Sequence, residues 1–484
     1  MRKRFEQQFE IGRLLIQDTK ITTKCRDSLV ELMAALKALY LNEKHNEKIF
    51  SILEVAILKD KKRTGRNGMN LWIIFVLAQI RLCLNASYDR LHYIANHDKL
   101  VRQIMGIEKE TSFEPIEFEY QTIYDNVTLL DDETVKGLNE LIVAFGHEVY
   151  KKKGQEALRL KTDSFVVETN VHFPTDYNLL WDCVRKCLDG VLHFTKKYPQ
   201  ISGWRKFRNW RYQIKGLMRE VGKSSASGGK DKGKRLKKSA HQYLVKVNTL
   251  LTKLEKEVLS FPVQDKGDIA AVMQIEQYMK LMKKHIDLVY RRLINGEQIP
   301  HEEKMFSVFE TYTEMVKKGK LHPNVELGKK LAITTDQYHL IVDYYTMSDE
   351  QDVEIVDELA KRIFSSYRVL SWSFDKGFSN KINKLLLKNE ISLLIMPKRG
   401  KRNKQEEEEE NTRIFRKFKN KHSAIESNIN ELEHRGLDRC PDKGYNHFKR
   451  YIGLAVSAYN LKKIGKYLLE QERILQENLR KQAA

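Results

Sequence analysis

Residues 158–176 read LRLKTDSFVVETNVHFPTD, and the reading of this stretch decides the fold. Leu158, Leu160, Phe165, Val166, Val167, Val171 and Phe173 are strand formers, and 158–160 and 169–173 alternate with the two-residue period of a strand. Asp163 stands inside this run. A carboxylate taken from water without a partner is costly, so Asp163 reads either as a strand end or turn, or as a functional acid. Two more acids stand in comparably defined settings. Asp375 directly follows the strand-like YRVLSWSF of 367–374, and Glu426 lies on a polar helical pattern at 412–432.

Working outward, 484 residues allow two to four structural units and a substantial core. Lys and Arg number 86 against 65 Asp and Glu, a formal charge of +21. That excess calls for a polyanion, either nucleic acid or an anionic membrane surface. The membrane reading is weak, because the most apolar stretch, 71–84, falls short of the roughly 20 residues that span a bilayer. It also contains Gln79 and Arg81. The opening MRKRFEQQFE lacks the order of a secretory leader. Cys183 and Cys187 lie one helical turn apart, but no second Cys or His pair sits nearby at zinc spacing. The five cysteines are therefore expected to be reduced core thiols of an intracellular protein.

Residues 1–156 are helical in pattern. Ser28 and Glu31 form a capping-box arrangement before an apolar-periodic run, and 71–84 is apolar nearly all round, as in a buried helix. Between them lies a polar loop, 59–70, with Lys61, Lys62, Arg63 and Arg66. This region reads as a DNA-reading module or as a plain helical bundle. After Asp176 the strand pattern stops for some 150 residues. There 201–223 interleaves Trp204, Phe207, Trp210 and Tyr212 with Arg205, Lys206, Arg208 and Arg211. Such a stretch either binds strands by charge and stacking or is an amphipathic helix with a solvated basic edge. Residues 223–240, with Lys234, Arg235 and Lys237, offer almost nothing apolar to bury and are expected to be mobile and to contact phosphate.

Strand character returns as a hairpin at 325–347, then at 367–374 and 391–396, with helical patterns at 349–364 and 380–388. Strand, helix and strand in this order predict an α/β sheet with some parallel pairing. A loop of both charge signs at 397–411, carrying Lys398, Arg399, Lys401 and Arg402, precedes the helix of Glu426, and an apolar helix at 451–471 follows. The expected organisation is a helical N-terminal domain (1–156), a discontinuous α/β domain (157–176 and 325–450), a basic helical insertion (177–324) and a closing helix (451–484).

In open α/β sheets, sites lie beyond the carboxyl ends of strands. Three acids meeting there suit Mg²⁺ or Mn²⁺, hard cations that take oxygen ligands. Two such ions about 3.5–4 Å apart serve in-line displacement at phosphodiesters. Asp336 and Asp343, on or beside strands, are rivals for the middle position.

The wording of four segments goes further. TDSFVVETNVHFPTD with the following NLLWDCVRKCLDG resembles the first catalytic segment of DDE transposases of bacterial insertion sequences. SWSFDKGFSN resembles the family's Asp-x-Gly-Phe element, a context that Asp336 and Asp343 lack. FKNKHSAIESNINELEHRGLDRC resembles its glutamate helix, and NHFKRYIGLAVSAYNLKKIG its closing helix. The resemblance implies a ribonuclease-H-like mixed sheet with a large helical insertion, preceded by an all-α N-terminal domain that binds terminal inverted repeats. It implies Asp163, Asp375 and Glu426 as catalytic residues holding two Mg²⁺ (or Mn²⁺) ions, which cleave DNA and join 3′-hydroxyl ends to target DNA. The partner would be double-stranded DNA rather than a membrane, the assembly a homodimer or higher, and the setting the cytoplasm and nucleoid of a bacterium. The candidate DNA contacts are Lys61, Lys62, Arg63, Arg66, Arg205, Arg208, Arg211, Lys234, Arg235, Lys237, Lys398, Arg399, Lys401 and Arg402. One branch of the family places Tyr, Arg and Lys around its glutamate where this chain has Lys419, His422 and Glu433, so that branch's hairpin handling does not carry over. A non-catalytic DNA-binding descendant and a structure-specific nuclease without strand transfer are the alternatives.

Overall fold

The computed structural model describes residues 2–5, 12–59, 68–109, 116–154, 156–317 and 325–483. The chain divides into two compact units, one of Met1–Asn170 with Val316–Ala484, the other of Val171–Met315. The architecture is mixed α/β, with a seven-stranded sheet in the first unit.

That unit opens with helices α1 (Ser28–Leu41), α2 (Glu43–Leu58), α3 (Leu71–Cys83), α4 (Tyr88–His97), α5 (Lys99–Ile104), α6 (Tyr120–Val127) and α7 (Asp132–Val149). The capping box expected at Ser28 is not formed. Asp27 is the cap instead, its carboxylate accepting from the Leu29 N–H at 2.8 Å. Glu31 is buried near Lys462 (3.7 Å), so its side chain is drawn away from the helix start. Every residue of α3 is buried, which explains its unbroken apolarity.

The central strand is β1 (Leu158–Thr169). The other strands arrive much later in the chain: β2 (Glu314–Lys317) at the unit boundary, β3 (Val325–Thr335), β4 (Ile341–Thr346), and then β5 (Val369–Phe374), β6 (Leu393–Ile395) and β7 (Arg439–Cys440). The order is β2-β3-β1-β5-β6, with β4 on β3 and β7 on β1. β1 runs antiparallel to β3 and parallel to β5 and β7, and β5 is parallel to β6. The expected hairpin is β3–β4.

Alternation along β1 sorts its side chains. Leu158 and Leu160 join Trp372, Phe374 and α12 (Val356–Phe364) in one core, with Leu387 of α13 (Lys381–Lys388). Helix α12 starts seven residues later than its pattern, after a turn in which Asp349 takes φ 56°, in the left-handed region. The loop expected at 397–411 contains a helix, α14 (Lys404–Asn411). Asn403 and Glu406 close a capping box, and Glu406 and Glu410 reach Lys398 (2.6 Å) and Arg402 (2.7 Å). The glutamate helix is two pieces, α15 (Arg413–His422) and α16 (Ala424–Leu432), with the Ser423 hydroxyl turned back onto the Asn420 carbonyl at 2.8 Å. The last helix, α17 (Tyr445–Ala483), packs on α1, α3 and α7. Gly465 lies so close to α1 that a Cβ there would stand 1.7 Å from the Glu31 carbonyl oxygen.

The second unit is helical: α8 (Asp176–Lys197), α9 (Phe207–Ala226), α10 (Lys232–Glu257) and α11 (Lys266–Val289). Its core includes Cys183, Cys187, Phe194, Trp204, Tyr243 and Met282. Both thiols are free and buried, and burial pushes their pKa values up, as suits core residues rather than ligands. The tract expected to be mobile, 223–240, is mostly helix. Lys and Arg are good helix formers, and Ser239 and Ala240 are buried while Leu236 packs on the core. No helix among the described residues is long and apolar enough to cross a membrane.

Candidate functional site

Thr162 of β1 stands opposite Phe374, the last residue of β5, in parallel register. The next residue on each strand is an acid, so Asp375 leaves the sheet beside Asp163, at the carboxyl end of β5. Glu426 comes from the first turn of α16. The α15–α16 corner is tied to β5 by His422, whose Nδ1 lies 3.0 Å from the Ser373 hydroxyl. Burial pushes the His422 imidazole down to about 4, so it holds this corner as a neutral ring.

Asp163 is half-buried, while Asp375 and Glu426 are exposed. Burial lifts the Asp163 carboxyl to about 7, and the charges of Asp375, Asp352 and Glu426 push the same way. One hydrogen bond opposes them, from the Ser164 backbone N–H at 2.7 Å. The sequence motifs did not point to Asp352. It accepts a hydrogen bond from the Ser164 hydroxyl at 2.8 Å and stands 3.5 Å from Lys330 Nζ. It lies in a loop, and nothing in its local sequence marks it.

These groups fit a hard divalent cation by their chemistry: carboxylates that repel one another, with no Lys or Arg in an ion pair with Asp163, Asp375 or Glu426 among the described residues. As placed, no three His, Cys, Asp or Glu side chains among the described residues stand close enough to hold a metal ion. Asp375 and Glu426 are exposed, whereas Asp163 is fixed on the central strand.

The rival acids serve the fold. Asp336 closes the β3–β4 turn, accepting from the backbone N–H groups of Tyr338 (2.8 Å) and Leu340 (2.9 Å), and its other oxygen faces His147 Nε2 at 2.7 Å. Asp343 is buried and paired with Arg362.

Of the basic candidates, Lys61, Lys62, Arg63 and Arg66 lie outside the described residues. In the second unit Arg205, Arg208, Lys234, Arg235 and Lys237 are exposed, while Arg211 pairs with Asp189 at 2.8 Å. Arg235 donates to the Gly228 carbonyl at 2.6 Å. Trp204 and Trp210 stack under Lys253 and Lys246 rather than presenting free faces. In the first unit Lys398 and Arg402 are partnered by α14, and Arg399 and Lys401 are exposed.

Comparison with family models, with curated proteins and with solved structures finds no match to this chain.

Proposed function

We propose that this chain is a DDE transposase of the insertion-sequence kind, cleaving double-stranded DNA and joining 3′-hydroxyl ends to a target. One observation carries the reading: the Thr162–Phe374 register that sets Asp375 next to Asp163, where Glu426 adds its charge. The sheet supports it as a ribonuclease-H-like one, since antiparallel β3 and β4 lie on one side of β1 and parallel β5 and β6 on the other. The formal charge of +21 suits a DNA partner, and synapsis of two DNA ends calls for a dimer or higher.

In this reading Asp163 is the rigid member, fixed on the central strand, and Asp375 and Glu426 close from exposed positions. Asp163, Asp375 and Glu426 would hold two Mg²⁺ or Mn²⁺ ions, which would supply charge stabilisation for an in-line displacement. The N-terminal helices would engage the element ends, in a bacterial cytoplasm.

The test is nicking and joining of an end-bearing duplex in Mg²⁺ or Mn²⁺. Asp163→Asn, Asp375→Asn and Glu426→Gln should each abolish both reactions while DNA binding persists, since members of a catalytic unit fail together. Wild-type protein that binds DNA but never cleaves it would make this a binding protein. Cleavage without joining would make it a nuclease.

A further inference from the structure

Beside the acids, on the same face of the sheet, lies a cleft of about 460 Å³ with no carboxylate in its lining. Arg159 and Lys161 reach it from β1, Ser373 from β5, and Phe418, Lys421 and Ser423 from the α15–α16 corner. At about 30 Å³ per water the space equals roughly fifteen waters, room for a hydrated ionic group. None of its three cations is in an ion pair among the described residues. In a chain where many Lys and Arg side chains find Asp or Glu partners, three unpaired cations facing a shared space with hydroxyl donors describe an anion site.

The strand fixes where that anion would lie. Lys161 and Asp163 are two residues apart on β1 and point to the same face, a separation of about 7 Å. An anion in the cleft is therefore a near neighbour of whatever the acids bind. We infer that the cleft holds the backbone phosphate adjoining the scissile one in a DNA strand. Lys161 and Lys421 are its charge partners, Arg159 stands at its outer edge, and the Ser373 and Ser423 hydroxyls are donors. Lys161 and Lys421 are positioning residues in this account. They set which phosphodiester meets the acids and take no part in bond breaking. The identity of the ligand rests on the phosphodiester chemistry proposed above, but the test requires no catalysis.

Binding of a short mixed-sequence duplex to the full chain is followed by fluorescence anisotropy in EDTA over a range of salt. Three proteins are compared: wild type, the double variant Lys161→Gln/Lys421→Gln, and the charge-keeping Lys161→Arg/Lys421→Arg. One lost phosphate contact predicts a slope of log K against log salt shallower by about 0.9, and about tenfold weaker binding at low salt, in the Gln variant. The Arg variant should stay near wild type. An unchanged slope and affinity in the Gln variant would overturn the site, as would an equal loss in the Arg variant or a wild type that does not bind DNA. If the Gln variant shows the predicted slope change but wild type never nicks DNA in Mg²⁺ or Mn²⁺, the phosphate site stands and the transposase reading falls.

Discussion

Asp442 sits between two buried guanidiniums, 2.6 Å from Arg81 and 3.1 Å from Arg450, and joins the loop after β7 to α3 and α17. The two arginines are 4% and 3% exposed. Arg81 also stacks over Tyr88, 4.3 Å from the ring centroid. Removing the one negative charge leaves buried cations uncompensated, which costs about 3–5 kcal/mol. Asp442→Asn should lower the unfolding free energy of the first unit, measured by urea denaturation, by that order. A loss below about 1 kcal/mol would mean water reaches both arginines.

Divalent metal should stabilise the first unit by relieving repulsion around Asp163. At a hundred times its Kd, Mg²⁺ would add about 2.7 kcal/mol. Asp163→Asn should raise the melting temperature in EDTA, because it removes the charge that Asp375, Asp352 and Glu426 oppose. It should also abolish most of the Mg²⁺ shift. Equal Mg²⁺ shifts in wild type and variant would rule out a shared site.

His285 gives the second unit an acid limit. The ring is buried, neither nitrogen has a hydrogen-bond partner, and burial lowers its pKa to about 4 from an ordinary 6.5. The unfolded chain thus takes up the proton first, so stability is full above about pH 6.5 and is lost as pH falls towards 4. The loss is at most about 3 kcal/mol. His285→Leu should flatten this decline in melts of the second unit between pH 7 and 4. An unchanged decline would place the acid sensitivity elsewhere.

Gly465 and Gly216 separate packing from helix propensity. Both are helical, and an exposed Gly216→Ala in α9 meets nothing within 4 Å, so it should gain up to about 1 kcal/mol. Gly465→Ala gains the same propensity but drives a methyl into the α1 backbone. Overpacking of this kind costs about 1–3 kcal/mol, occasionally more, so the net effect should be destabilising. Thermal melts of the two variants should shift in opposite directions.

The strands were legible because their signals are local. β1, the β3–β4 hairpin and β5 each show alternation or apolar runs bounded by turn residues. Asp375 could be named from its Gly-Phe context, and the register with Asp163 follows once β5 is parallel to β1. What escaped the sequence depended on partners far away in the chain. Glu31 resembled a capping residue but is buried near Lys462. The run of five glutamates looked like a loop, yet Asn403 caps it as a helix whose acids neutralise Lys398 and Arg402. Asp352 reaches the site through space, bonding to Ser164, 188 residues earlier, and acting on Asp163 by its charge. Arg159 and Lys161 gave a readable hint, since they share the alternation phase of Asp163.

The insertion of the second unit between β1 and its partners has a consequence for synthesis. Thr162 meets Thr334 across 172 residues and Trp372 across 210. At about 5–20 residues per second, roughly 10–35 s pass between translation of the central strand and the arrival of its first neighbour. Residues 171–315 meanwhile emerge as a compact unit with a core of its own. The nascent chain thus carries an unpaired apolar strand beside a folded helical unit until β3 appears. Long-range pairing of this kind is slow and exposed to aggregation, so the β1 segment is where a chaperone would act during translation.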